Sequence, residues 1–66
     1  MQAATVSASA AANNFLDIGN KAFRNNDLKT ANENYKLALH EDPKFAEAYY
    51  RLGLTALQQL SFARSA

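Results

Sequence analysis

Two stretches of the chain decide its fold: Phe15-Leu16-Asp17-Ile18-Gly19-Asn20-Lys21-Ala22-Phe23, and Tyr49-Tyr50-Arg51-Leu52-Gly53-Leu54-Thr55-Ala56-Leu57. At an offset of 34 residues, Phe15 meets Tyr49, Ile18 meets Leu52, Gly19 meets Gly53, Ala22 meets Ala56, Phe23 meets Leu57 and, further on, Leu28 meets Phe62. Aromatic falls on aromatic, aliphatic on aliphatic and glycine on glycine in most of these pairs. Self-similarity at a fixed period of this size marks a chain built from a repeated supersecondary unit.

Within the first unit, Phe15, Ile18, Ala22 and Phe23 stand at i, i+3, i+7 and i+8, one stripe of a 3.6-residue helix, which predicts a helix over about 12–25. Asn25-Asn26-Asp27 supplies turn residues, and Asp27 is a good N-cap for a second helix. Leu28, Ala31, Tyr35, Ala38 and Leu39 continue the helical spacing and predict that helix over about 28–40. Pro43 disfavours helical geometry at Asp42 and sits well only near a helix start. Tyr49, Leu52, Ala56 and Leu57 then repeat the first stripe, predicting a third helix over about 44–59. Ser61 and Phe62 have the cap and the apolar residue that would open a truncated fourth helix. Since no Gly or Pro comes after Gly53, the same residues can equally continue the third. The expected organisation is an Ala/Ser-rich disordered leader over 1–11, a first repeat over 12–45 and a partial second repeat over 46–66.

Phe15-x2-Ile18-Gly19-x2-Ala22, Ala31-x3-Tyr35-x2-Ala38-Leu39 and Pro43, with the period above, resemble the tetratricopeptide repeat signature from about Ala12 to Ala66. The resemblance implies an all-α helix-turn-helix fold, three antiparallel helices of an α-solenoid with a truncated fourth. It also implies that Gly19 and Ala31 face each other where the helices approach closely. The departures are Phe15 and Tyr49 for the usual tryptophan, Ala22 and Ala56 for a common tyrosine, and Asn26 for the usual turn glycine. Asparagine tolerates left-handed geometry, so the turn survives.

Members of this family bind protein partners on a concave face made from the first helix of each repeat. The resemblance places Asn13, Leu16, Asp17, Asn20 and Arg24 on that face from the first helix, and Glu47, Tyr50, Arg51, Leu54 and Gln58 from the third. Tyr50 and Arg51 are the residue types that most often dominate binding energy. Gly19-Asn20-Lys21-Ala22-Phe23 also resembles the opening of domains that clamp the C-terminal carboxylate of a heat-shock chaperone. Asn20 matches the first clamp asparagine, but Leu16 stands where a lysine is expected and Arg51 where a second asparagine is expected, so a clamp is not expected.

Composition narrows the function further. The chain has 66 residues, enough for one small core. Seven Lys and Arg against six Asp and Glu give a net charge of +1, and the basic residues stand singly, so neither nucleic acid nor an anionic membrane is expected as partner. No apolar run approaches the ~20 residues of a membrane span. The leader lacks the charged start and apolar centre of a secretory signal. A soluble chain is expected, with the cytoplasm favoured over other compartments. There is no cysteine and a single histidine, His40, which lies near the end of the second helix where the free carbonyls favour it; no metal site or catalytic dyad can be assembled around it. Six carboxylates scattered over three helices read as surface and caps. The aromatics apart from Tyr50 fall at core spacing. Gly19 and Gly53 form no phosphate-cradling loop. No enzyme activity and no cofactor is expected.

Two roles are consistent with these features. One is an interaction module that binds a partner peptide or helix through the concave face. The other is a structural element that self-associates, or caps a longer array, through Leu57, Leu60 and Phe62 on the third helix, since repeat units cannot bury their apolar faces alone.

Overall fold

The computed structural model describes residues 9–65 and holds three α-helices, α1 (Ala10–Arg24), α2 (Leu28–Glu41) and α3 (Ala46–Ser65), with no strand among the described residues. The fold is all-α. α1 and α2 pack along each other as a hairpin, α3 lies against α2, and α1 barely touches α3.

Each boundary has a local cause. Ser9 Oγ accepts the Ala12 N–H at 3.0 Å and starts α1. The helix therefore begins at Ala10, two residues inside the expected leader, of which residues 1–8 lie outside the described residues. At its other end, Asp27 N–H bonds the Ala22 carbonyl at 2.9 Å and Asn26 N–H bonds the Phe23 carbonyl at 3.0 Å. This is the paired Schellman pattern, with Asn26 in the left-handed position at φ 62°. Asp27 then caps α2, its Oδ1 accepting from Thr30 N–H at 3.3 Å. α2 ends at Glu41; Asp42 Oδ1 accepts from Lys44 N–H at 3.2 Å and Phe45 N–H bonds the Asp42 carbonyl at 3.0 Å. That turn takes up Pro43 and Lys44, so α3 begins at Ala46 rather than at Lys44.

α3 runs unbroken through Ser61 to Ser65, and the truncated fourth helix is not formed as a separate element. The 34-residue offset explains why: Gln59, Leu60 and Ser61 stand where Asn25, Asn26 and Asp27 make the first turn. Leu60 thus occupies the position that Asn26 fills at positive φ, a conformation that is sterically costly for leucine. Without that turn the helix continues.

The core is assembled from Leu16, Ala22, Ala31, Tyr35, Ala38 and Ala48, with Phe15, Phe23, Leu39, Phe45 and Leu52 packed around them. Its alanines bring the helix axes together and its rings fill the remaining space. Tyr35 is fully buried. Its ring lies on Gly19: a β-carbon built there would stand 2.6 Å from Tyr35 Cε1 and 2.7 Å from Cδ1. The three nearest atoms to that position all belong to the Tyr35 ring. The buried side of α1 runs Ala12, Leu16, Gly19, Ala22. Ile18, expected in the core, is 42% exposed, because it is rotated about 100° round the helix from Gly19, where the axes come closest.

Candidate protein-binding surface

Two surfaces stand out, one polar and one apolar. The polar one arises from spacing. Asn13, Asp17, Asn20 and Arg24 recur at i, i+4, i+7 and i+11 on α1, and Glu47, Arg51, Leu54 and Gln58 at the same intervals on α3. Asn13, Asp17, Arg24, Glu47, Tyr50 and Gln58 are exposed, and Asn20, Arg51 and Leu54 are half-buried. Leu16 is a correction: it is buried and belongs to the core, because an apolar side chain one turn before Gly19 is taken up between α1 and α2. Burying a leucine contributes about 1.5–3 kcal/mol that an exposed position would forgo.

Most of the polar residues already have neighbours. The Asn13 side-chain amide donates to the Ser9 carbonyl at 3.1 Å. Asn20 Oδ1 accepts the Tyr35 hydroxyl at 2.6 Å, tying the polar face of α1 to the middle of α2. Burial pushes the Tyr35 hydroxyl above the ordinary tyrosine value, Arg51 and Arg24 act against that, and Glu47 adds to it. Both arginines and Glu47 therefore bring their charge to bear on one hydroxyl. Arg51 Nε lies 3.7 Å from Glu47 Oε2, is shielded from solvent and has no hydrogen-bond partner. The link from Asn20 to Tyr35 had no signature in the sequence, since it joins two helices across 15 positions.

The apolar surface lies along α3. Tyr49, Gly53, Ala56, Leu57, Leu60 and Arg64 fall at i, i+4, i+7, i+8, i+11 and i+15, and all six are exposed. Tyr49, expected in the core by analogy with Phe15, is 57% exposed, and Leu57 is 64% exposed. The cause is visible at the glycine. Gly19 carries the Tyr35 ring, whereas nothing lies within 4 Å of a β-carbon built on Gly53. Beyond the buried Thr55, every side chain from Ala56 to Arg64 is exposed, so the C-terminal half of α3 projects past the hairpin. The described residues extend over 51 × 16 × 16 Å. A shallow open groove on the projecting half is lined by Leu57, Leu60, Ser61 and Arg64. Phe62 is also exposed, but it lies two positions after Leu60, about 200° further round the helix.

Among the described residues no group of three or more His, Asp or Glu side chains is placed to hold a metal ion. His40 lies exposed in the last turn of α2. None of the described helices is long and apolar enough to cross a membrane. Comparison of the chain with protein-family models, with curated proteins and with solved structures finds no significant match.

Proposed function

We propose that the chain is a non-enzymatic protein-interaction module of the tetratricopeptide kind, and that its principal contact surface is the uncovered face of α3. The observation that carries this reading is the contrast between the two glycines. Gly19 and Gly53 occupy the same place in the repeat, yet one is filled by a tyrosine ring and the other faces open space. Around Gly53 lie Tyr49, Leu57 and Leu60, all more than half exposed, a larger contiguous apolar set than a small helical chain ordinarily leaves in water. The side chains that would cover it belong to a helix, because the α1 face of the same design is covered by one.

The test uses a labelled peptide with the sequence of residues 27–42, which contains α2 and its cap, titrated into the full chain and followed by fluorescence anisotropy. Saturable binding that Gly53→Leu weakens by about tenfold, with circular dichroism unchanged, is the expected result. Absence of binding, or binding indifferent to Gly53→Leu, would exclude a helix of the α2 type as the occupant of this face.

A second reading is favoured by Arg51. A shielded guanidinium Nε without a hydrogen-bond partner, with Arg24 acting on the same Tyr35 hydroxyl, suits a carboxylate-bearing peptide on the polar faces of α1 and α3. Tyr50 would flank it as an aromatic contact. Arg51→Met abolishes binding at this polar surface and leaves the uncovered α3 face intact, so the two readings separate.

A further inference from the structure

The uncovered face of α3 is self-complementary. We infer that its partner is a second copy of this chain, α3 packed antiparallel on α3 about a two-fold axis between Ala56 and Leu57; this rests on the reading of that face as the contact surface.

No turn after α3 folds the described chain back over this face. Leu60 stands where the first turn needs the left-handed Asn26, and α3 accordingly runs straight through to Ser65. Among the described residues no element covers the face.

The order of residue sizes along the face then selects the occupant. Run antiparallel about that axis, Ala56 meets the partner's Leu57, Gly53 meets the partner's Leu60, and Tyr49 meets the partner's Arg64. Every large aliphatic side chain is set against a small one, as close-packed helix contacts require. At Gly53 there is room for it, since no atom lies within 4 Å of the β-carbon position. At the ends of the contact a guanidinium is set over a tyrosine ring, an electrostatic match made twice by the symmetry. The parallel alternative sets each residue against itself, leaving glycine facing glycine across an unfilled gap and Arg64 repelling Arg64. The same stripe therefore discriminates between the two orientations.

Phe62 lies on another side of α3 and takes no part. A specific two-fold contact thereby differs from general hydrophobic association, which would engage Phe62, 49% exposed, as readily as Leu57.

Sedimentation equilibrium over a wide concentration range tests the proposal on the wild-type chain and four variants: Gly53→Leu, Leu60→Ala, the two combined, and Phe62→Ser. Gly53→Leu does not disturb the monomer, because the position is open and leucine is the better helix former. The expected result is a reversible dimer whose dissociation constant rises about tenfold or more with either Gly53→Leu or Leu60→Ala, recovers to within about threefold in the double variant, and is unmoved by Phe62→Ser. A wild-type chain that stays monomeric at every concentration overturns the second copy as partner, and binding of the α2 peptide in the same preparation would leave the interaction reading standing. Dimerisation without peptide binding does the reverse. Failure of the double variant to recover, species larger than a dimer, or an equal loss with Phe62→Ser overturns the antiparallel register.

Discussion

The ring of Tyr35 occupies the space that a β-carbon on Gly19 would need, with Cε1 2.6 Å and Cδ1 2.7 Å from that position, while its hydroxyl donates to Asn20 one residue further along α1. Ring and hydroxyl together lock α2 onto α1 at a single height.

Gly19→Ala and Gly53→Ala should therefore move stability in opposite directions. Both exchange glycine for the best helix former, a gain of about 1 kcal/mol. At Gly19 the added methyl meets a fully buried ring that has nowhere to retreat, and overpacking of that kind costs about 1–3 kcal/mol. At Gly53 there is no opposing term. Urea denaturation at low protein concentration should show a net loss for the first and a gain of up to about 1 kcal/mol for the second. Equal effects at the two positions would mean that Tyr35 does not press on Gly19.

Tyr35 also predicts an alkaline limit to the fold. Burial raises its pKa above the ordinary value of 10.0, Arg51 and Arg24 only partly opposing this, so the folded chain holds the phenolic proton more tightly than the unfolded chain does. Stability from this group is full below pH ~10 and is lost as pH rises through the folded-state value. A phenolate would lose the hydrogen bond to Asn20 Oδ1 as well. Thermal melts should fall more steeply above pH ~10 for the native chain than for Tyr35→Phe, which at neutral pH gives up only the net worth of one hydrogen bond, about 0.5–1.5 kcal/mol. Parallel pH profiles for the two proteins would remove the tyrosine from the account.

The Arg51 to Glu47 pair, by contrast, should matter little to stability. It is an i,i+4 contact on a helix surface at 3.7 Å, with the two side chains 35% and 51% exposed. Such pairs contribute about 0.3–0.5 kcal/mol and are screened by salt. Glu47→Gln should shift the unfolding midpoint barely measurably. Arg51→Met should do the same, since it keeps the apolar stem and removes the unpartnered Nε.

How much of this was legible in the sequence depends on which residues are asked. The start of α2 was, because Asp27 and Leu28 combine a cap with an apolar period, and both signals are local. The rotation of α1 was not. Leu16 and Ile18 are both apolar and both precede Gly19 within one turn, and which of them faces inward is settled by where the Tyr35 ring lands, a tertiary contact without local trace. For the candidate surfaces, the family resemblance placed Asn13, Leu16, Asp17, Asn20 and Arg24 on one face at helical spacing, and Leu16 among them is buried. The same spacing put Tyr49 in a core by analogy with Phe15, although the repeat offset carries a residue's place along the helix and not the neighbour that buries it.

The two turn positions offer the sharpest exchange. Asn26 holds φ 62° between α1 and α2, and Leu60 holds the equivalent place inside a continuous α3. A left-handed conformation costs an ordinary side chain about 1–2 kcal/mol, so Asn26→Leu should destabilise the hairpin by that amount, while Asn26→Gly should be neutral or stabilising. At position 60 the logic reverses: Leu60→Gly removes the obstacle to turning and weakens the helix by up to about 1 kcal/mol. Amide hydrogen exchange should then show faster opening of Ser61 to Ser65, with α1 and α2 unchanged. Protection that persists across residues 58–65 in that variant would mean the straightness of α3 comes from something other than the leucine.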